Sequence, residues 1–429
     1  MERVLNLIKK EVTPSKAEYK KINEVVSEVK SRINQVAKKY KYDIDVFVGG
    51  SVGKDTWLPG LHDIDFFLRF DYAKYAKKDD KISDYSEEIL LNCFDQILRL
   101  KGSRDYFQTG FRNYDLEFVP TLKILDYKKA KNITDASPLH VLWSESKIKK
   151  NKKINSEIRI AKKFFKAAKV YGAESYINGF SGHVINILTL YYGSFKKLVE
   201  AIDGWESGMI VDIEKHYNSR EELIKKMNDS KMYGPLIVVD PIQPERNCAA
   251  ALNVENFRKI KKYASQFLKK PLKEFFVEKK ISLEALKKIA KKENKKLVYI
   301  EAQPESENQD IAGSKIMKAF RYLCKHAILN EFEIIKPDWE WDKDINSPFK
   351  MWFFTNKKAL SKKKILWGPP KTSKKEFINN FKNKHQSSKV KVKNNKFYVE
   401  VDRLYQRIEQ LISEMDNHEY FKNFRFSVW

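Results

Sequence analysis

Two aspartates that interrupt an apolar run place the strongest constraint on the fold. The segment HDIDFFLRF begins at His62, so Asp63 and Asp65 each alternate with an apolar residue. A period of two is typical of a β-strand, in which both carboxylates project from the same face. Glu117 lies in a second apolar run that predicts another strand. If the two strands pair, three carboxylates converge, and hard oxygen ligands of this kind suit Mg²⁺.

A glycine turn precedes the first acidic strand. The segment IDVFVGGS predicts a strand that enters a turn at Gly50 and Ser51, with Lys54 close behind. Glycines let main-chain N–H groups approach a phosphate, and Ser51 and Lys54 add a donor and a positive charge. A Walker P-loop is excluded, because Asp55 stands where that motif requires Ser or Thr. The run therefore predicts a phosphate-binding turn of another kind, or only a tight turn.

These elements occur in an order that resembles a known enzyme superfamily. A strand, GGS, about a dozen residues, DID and a later acidic strand are typical of the polymerase-β-like nucleotidyltransferases. The longer run GGSVGKDTWLPGLHDIDFF resembles the signature of the archaeal (class I) CCA-adding enzymes. Other segments similar to that family are SPLH from Ser137, YGAESYINGFSGHVINIL from Tyr171, VVDPIQPERNCAAALN from Val238 and GPP from Gly368.

The resemblance implies an α+β protein in three parts. A polymerase-β-like palm domain spans residues 1–143 and carries the catalytic site. A mostly helical central domain, 144–256, completes the nucleotide pocket. Residues 257–429 form a basic tRNA-binding body and tail with an RNA-recognition-like α+β fold. Periodicity supports this division, since it predicts helices near the N-terminus and near Glu87–Leu100, and later strands at LVYIEAQ, FEIIK, KMWFFT and KFYVEV.

The resemblance also assigns roles to individual residues. Asp63, Asp65 and Glu117 would be catalytic and would hold two metal ions, Mg²⁺ or alternatively Mn²⁺. Members of the family usually have Asp in place of Glu117 and often Glu in place of Asp63, so Asp115, on the same strand face, is an alternative ligand. The residues that the resemblance places at the nucleotide are Gly50, Ser51, Lys54, His140, Lys162, Tyr171 and Arg246.

Within that nucleotide pocket the implied roles differ. Ser51 and Lys54 would contact the triphosphate. His140, Lys162 and Tyr171 would line the pocket, and Arg246 would select C or A without a nucleic-acid template. We assign the segment FSGHVINIL to core packing and give His183 no role in the reaction.

The function implied is addition of C, C and A from CTP and ATP to the 3′ end of tRNA, bound by its acceptor stem. Whether all or part of CCA is added stays open. A net charge of +26 favours a polyanionic partner. The alternatives are a related terminal or poly(A) nucleotidyltransferase, and a catalytically silent RNA-binding protein on the same scaffold. The carboxylates do not separate the enzymes, whereas Arg246 and the segment around His140 favour CCA addition.

Composition bears on which kinds of site the protein contains and on where in the cell it is expected. Three scattered cysteines contain no CxxC pair, which argues against a cysteine zinc site and a disulfide framework. No run approaches the roughly 18 apolar residues of a membrane span, and the N-terminus lacks a signal-peptide core. We therefore expect no membrane partner and a cytoplasmic location. The resemblance allows a homodimer, although no feature of the sequence decides the oligomeric state.

Overall fold

The structure, a computed structural model, describes residues 1–151, 153–227, 232–306, 308–386 and 388–429. The chain divides into two compact units, Met1–Lys279 and Lys280–Trp429, and each is described here by itself. The three-part division expected from the sequence stays a prediction. Among the described residues, no helix has both the length and the apolar character needed to cross a bilayer.

The first unit begins with helices and a mixed sheet. Its elements are α1 Glu2–Val12, α2 Lys16–Lys39, β1 Ile44–Val48, α3 Gly50–Gly53, β2 Asp63–Asp71, α4 Tyr72–Tyr75, α5 Ile82–Leu91, β3 Leu98–Leu100, β4 Tyr106–Phe111 and β5 Tyr114–Lys123. Further along come α6 Ser137–Lys150, α7 Ile154–Ala167, α8 Gly182–Tyr192, α9 Phe195–Gly204, β6 Met209–Val211, α10 Arg220–Lys226, β7 Leu236–Val238 and α11 Val254–Lys269. Short 3-10 turns lie at Asp79–Lys81, Tyr127–Lys129, Ile133–Ala136 and Lys273–Phe276.

The mixed sheet has the strand order β1-β2-β5-β4-β3. The central pair, β2 and β5, is parallel, and the other pairs are antiparallel. Side chains of β2 and β5 that point away from the carboxylates are fully buried, and Phe66 stacks on Phe118 with ring centroids 5.3 Å apart. Apolar burial on one face therefore fixes the strand register that places the acidic residues on the other.

Helix α2 covers this sheet because its apolar residues recur at helix spacing. Ile22, Val25, Val29 and Ile33 are buried in the same core as the sheet. The predicted break before α2 is confirmed: α1 ends at Val12, and Ser15 forms a capping box with Glu18. The predicted helix Glu87–Leu100 is wrong in its extent, because α5 ends at Leu91 and Leu98–Leu100 pairs with β4.

A second core in this unit is helical. Phe164 and Phe165 of α7 pack among Phe180, Phe195 and Phe267, all fully buried. Helix α8, predicted as a buried helix, contributes its apolar residues to the same core. The packing fixes α7, which carries Lys162, a residue expected in the nucleotide pocket.

The elements of the unit Lys280–Trp429 are α12 Leu283–Lys292, β8 Lys295–Ala302, α13 Gln309–Leu329, β9 Ile335–Glu340, β10 Phe349–Asn356, β11 Lys363–Pro370, α14 Lys375–Lys384, β12 Lys391–Lys393, β13 Lys396–Asp402, α15 Ile408–Asp416, a 3-10 turn Glu419–Phe421 and β14 Phe424–Val428. Its strands form two antiparallel sheets, ordered β14-β8-β10-β9 and β11-β13-β12. Trp352, Phe353 and Phe354 of β10 are buried, so they belong to the core, whereas Trp367 of β11 is half exposed.

Candidate active site

The predicted carboxylates lie near the N-terminal ends of the two central strands of the mixed sheet. In the parallel pair of β2 and β5, Asp65 is opposite Glu117 and Asp63 is opposite Asp115. Residues two apart on a strand share a face, so all four acidic side chains project to the same side. The structure therefore brings Asp63, Asp65 and Glu117 together and leaves Asp115 beside them.

The glycine turn closes over Asp65. The N–H of Gly49 donates to the main-chain oxygen of Asp65 at 2.8 Å. Gly50 has a φ of +52°, and a Cβ at this position would lie 1.5 Å from Oδ2 of Asp65. Only glycine fits a main chain that passes so close to a carboxylate in a left-handed conformation. Ser51 follows directly in α3, and its carbonyl accepts the N–H of Thr56 at 2.9 Å.

Burial and mutual repulsion raise the pKa of these carboxylates. Burial is the main cause that raises the pKa of Glu117 to about 7, and the nearby charge of Asp65 adds to it. Gln108, the cross-strand neighbour on β4, opposes the shift because its Nε2 donates to Oε2 of Glu117 at 3.1 Å. Burial and Asp63 also raise the pKa of Asp65. Clustered carboxylates with raised pKa values are a set that a divalent cation would stabilise.

Cationic groups adjoin the carboxylates. Burial lowers the pKa of Lys54 to about 8, and Asp65 and Asp240 partly offset this effect. Burial, with Lys54 and Arg159, holds the pKa of Lys162 well below its usual range. The ammonium of Lys162 donates to the main-chain oxygen and to Oγ1 of Thr56, both at 2.9 Å.

Tyr171 lies on the side of the site that also carries Lys162. Burial raises its pKa to about 12, with smaller effects from Glu174 and Asp65, so its hydroxyl stays protonated at neutral pH. A Cβ on Gly182 would lie 2.8 Å from that hydroxyl and 3.8 Å from Cε of Lys162. The start of α8 therefore borders two residues predicted for the nucleotide pocket.

Asp240 joins two other predicted residues. It is fully buried just after β7, and its carboxylate accepts from Nε2 of His140 at 2.8 Å and from Nη1 of Arg246 at 3.0 Å. The N–H groups of Ile242 and Gln243 donate to Oδ1 at 2.9 and 3.0 Å. Burial alone would raise the pKa of Asp240, but the hydrogen bonds from His140 and the main chain hold it well below its usual range.

His183 lies beside this group. Its ring meets that of His140 edge-on with centroids 4.8 Å apart, and neither of its ring nitrogens has a hydrogen-bond partner among the residues that the structure describes. The donor atoms of His140, His183 and Asp240 lie within 4.8 Å of one another, as in a metal site. Asp240 already accepts from five donors, including Arg246 and Sγ of Cys248, so we interpret Asp240 and His140 as part of a hydrogen-bond network against which His183 packs.

The predicted residues therefore converge on one region, and their roles stay predictions. Sequence reasoning missed Gln108 and Asp240. Alternation along β4 opposite the acidic strand was an available signal for Gln108. Nothing in the local sequence of Asp240 shows that the chain just after β7 is buried.

Comparison with known proteins identifies two family domains in the chain. A nucleotidyltransferase domain model matches residues 29–115, and the second domain of tRNA nucleotidyltransferases matches residues 156–277. The CCA-adding enzyme of Nanoarchaeum equitans is 33% identical over 94% of this chain and 92% of its own. The chain belongs to the family of archaeal CCA-adding enzymes. The CCA-adding enzyme of Methanocaldococcus jannaschii is 29% identical over 97% of this chain and 91% of its own.

Solved structures support the fold. The Cid1 poly(U) polymerase superposes with a TM-score of 0.51 at 12% identity, over 65% of this chain and 98% of that one. At this identity the likeness shows the nucleotidyltransferase fold alone, and it confirms the predicted polymerase-β-like α+β class. Nucleotidyltransferases of this family generally use divalent metal ions.

Replacing Gly50 with alanine tests the close approach of the turn to Asp65. The added Cβ would collide with Oδ2 in a strained backbone conformation. Overpacking of this kind costs about 1–3 kcal/mol, so we expect Mn²⁺ affinity to fall about tenfold or more while the fold is kept. Gly110→Ala, on β4 with open space around the new Cβ, is the control and should bind Mn²⁺ like wild type. Equal affinity in Gly50→Ala would contradict the arrangement.

The raised pKa of Glu117 predicts how stability depends on pH without metal. A folded pKa of about 7, above the ordinary value of 4.5 for a glutamate, means that the folded state holds the proton more tightly. The free energy of unfolding should therefore fall as pH rises between these values. Below this pH window, Glu117→Gln should have the same free energy of unfolding as wild type. At pH 8 the variant should be about 1–2 kcal/mol more stable than wild type. This difference is reduced because the Glu117 side chain reaches solvent. Denaturant unfolding in EDTA at several pH values measures the difference, and a constant difference would contradict the shift.

Proposed function

We propose that the protein adds C, C and A to the 3′ end of tRNA from CTP and ATP. The observation that carries this proposal is the register of β2 and β5, which sets Asp63, Asp65 and Glu117 on one face beneath the glycine turn. The relatives that span nearly the whole chain are named CCA-adding enzymes, so the same reaction is the one to test first.

The residues present fit two divalent metal ions, and we infer Mg²⁺, with Mn²⁺ as the alternative. Asp63, Asp65 and Glu117 would hold them, because clustered carboxylates with raised pKa values lack sufficient neutralising charge of their own. When bound, the ions lower the pKa of an attacking hydroxyl and neutralise a leaving oxygen. Asp115 lies on the same face and remains available as a further oxygen ligand.

The reaction is an in-line displacement at the α-phosphate of the nucleotide. The terminal 3′ oxygen of tRNA loses its proton and bonds to the α-phosphorus as the bond to the bridging oxygen breaks, which releases pyrophosphate. Ser51, Lys54, Lys162 and Tyr171 would bind the triphosphate around the glycine turn. Lys162 donates twice to Thr56, and the third donor of its ammonium group would bind a phosphate oxygen. Rate enhancement would come mainly from positioning and from fixed charge.

Arg246 would select which nucleotide is added. Its guanidinium is held by buried Asp240, which leaves its remaining donors in a defined orientation beside His140. A planar guanidinium can pair with the edge of a base in two hydrogen bonds. Asp240 would thus support selection without contacting the nucleotide.

The basic second unit would hold tRNA by its backbone, which suits a substrate recognised by shape. Trp367, half exposed on β11, lies 5.5 Å from the ring of Tyr398 and is a candidate to stack on RNA. A homodimer and a cytoplasmic location remain predictions.

Nucleotide incorporation on three labelled tRNAs tests the proposal. The tRNAs end before CCA, after the first C and after CC, and each receives CTP, ATP or both. We expect ordered addition of C, C and A that requires a divalent metal and then stops. Asp65→Asn should reduce turnover at least about 10³-fold and keep tRNA binding, since only charge is removed. Repeated addition of one nucleotide would indicate a poly(A)-type transferase, and tight binding without incorporation would indicate a silent RNA-binding protein.

Arg246→Ala tests the origin of nucleotide choice. We expect discrimination between CTP and ATP on the tRNA ending in CC to fall about tenfold, equivalent to about 1.4 kcal/mol. Arg220→Ala is a suitable control, because Arg220 belongs to the same part of the chain but contacts the carbonyl of Gly208. Unchanged selectivity in Arg246→Ala would remove this residue from the pocket.

A further inference from the structure

A buried arginine on α7 holds the chain segment that follows the glycine turn. Arg159 is 3% exposed, and its Nε donates to the main-chain oxygen of Trp57 at 2.8 Å. Its Nη2 donates to the main-chain oxygen of Asp55 at 2.9 Å and to Oδ1 of Asp55 at 2.6 Å. The same nitrogen lies 3.0 Å from the hydroxyl of Tyr19. One side chain thus fixes the main chain at two positions.

Asp55 adopts a conformation that needs such support. Its φ is +49°, in the left-handed region that residues with a Cβ rarely occupy. Its carboxylate accepts from Tyr19 at 2.7 Å and from Asn155 at 2.6 Å, besides Arg159. Donors from α2 and α7 therefore converge on the residue directly after Lys54.

Helix α7 presents these donors on one face. Asn155, Arg159 and Lys162 are spaced by four and three residues, so their side chains share a side of the helix. All three donate to the segment formed by residues 55–57. The segment lies in the match to the nucleotidyltransferase domain, and Arg159 and Lys162 lie in the match to the second tRNA nucleotidyltransferase domain. The network therefore joins the two family domains beside the expected triphosphate position.

Stability alone is a weak explanation for this arrangement. Removing an arginine from water costs free energy that a buried ion pair often fails to recover, and an apolar side chain of similar size packs at least as well. A fixed geometry is what such a pair provides. Here the pair fixes the main chain between Lys54 and Thr56, and Thr56 in turn accepts two hydrogen bonds from Lys162.

We propose that Arg159, acting through Asp55, is a positioning residue that sets the spacing between the glycine turn and α7 and thereby the affinity for the nucleoside triphosphate. The inference rests on the proposed function, since that function places the triphosphate between Lys54 and Lys162. Neither Arg159 nor Asp55 needs to contact the nucleotide for this effect. Misplacement of the two lysines by a fraction of an ångström is sufficient to weaken binding.

The test compares Arg159→Lys with the same change at a second buried arginine of the same unit, which also pairs with an aspartate. Arg159→Lys keeps the charge but loses the planar set of donors. Arg104→Lys is the control, because Arg104 is also buried, pairs with Asp135, and donates to the main chain of Pro120 at 3.3 Å without contacting a predicted pocket residue. Asp55→Asn is a milder second variant, since asparagine tolerates the left-handed conformation.

Binding of the non-reactive analogue α,β-methylene CTP with Mg²⁺ is measured by calorimetry, together with Tm and the KM values for CTP and tRNA. We expect Arg159→Lys to raise the Kd of the analogue and the KM for CTP about tenfold and Asp55→Asn about threefold, with the KM for tRNA unchanged. The double variant should be no worse than Arg159→Lys alone, because the two residues act as one unit. Arg104→Lys should lower Tm and leave analogue affinity unchanged.

Two results would overturn the inference in distinguishable ways. If Arg159→Lys lowers Tm as Arg104→Lys does and leaves analogue affinity within about twofold of wild type, the Arg159 network is only structural. If wild type binds neither the analogue nor CTP, the proposed function fails and the inference fails with it.

Discussion

The pairing of Asp65 with Glu117 across parallel strands is the constraint on which the site depends. The two carboxylates face each other on one sheet, where burial raises the pKa of both and the charge of Asp65 raises the pKa of Glu117 further. The opposite face of the same strands provides the compensation, since Phe66 and Phe118 are fully buried and stacked. A slip of one residue would expose both rings and bury the acids. The apolar core therefore holds the acidic residues in place.

The buried cationic residues beside the carboxylates are also destabilised in their charged form. Lys54 and Lys162 are desolvated and their pKa values are lowered, while Asp65 acts on both in the opposite direction. The protein thus neutralises neither the carboxylates nor the ammonium groups completely. A nucleoside triphosphate bound with divalent metal carries matching charges of both signs. Free energy lost to burial in the unliganded site becomes available as binding energy, which is how preorganised sites operate.

Local pattern was enough to predict the strands, the glycine turn and the carboxylates, because alternation and glycine conformation act over a few residues. It also predicted the core packing of the segment that forms α8, in which Val184, Ile185, Ile187 and Leu188 are buried. It failed at Glu87–Leu100, where pairing of Leu98–Leu100 with β4 overrides helical periodicity. Asp240 and Arg159 were beyond such reasoning, since their partners His140 and Asp55 lie about a hundred positions away in the sequence. Their importance follows from tertiary burial, which leaves no local signal.

Glu117 is longer than the two aspartates beside it, and the sheet accommodates the difference. Asp63 and Asp65 lie on β2, and Glu117, one methylene longer, lies opposite Asp65 on the adjacent β5. The extra rotatable bond gives Glu117 more conformational freedom, and its hydrogen bond from Gln108 restricts that freedom. Gln108 therefore keeps the longer side chain beside the aspartates, on the face where the carboxylates meet the glycine turn.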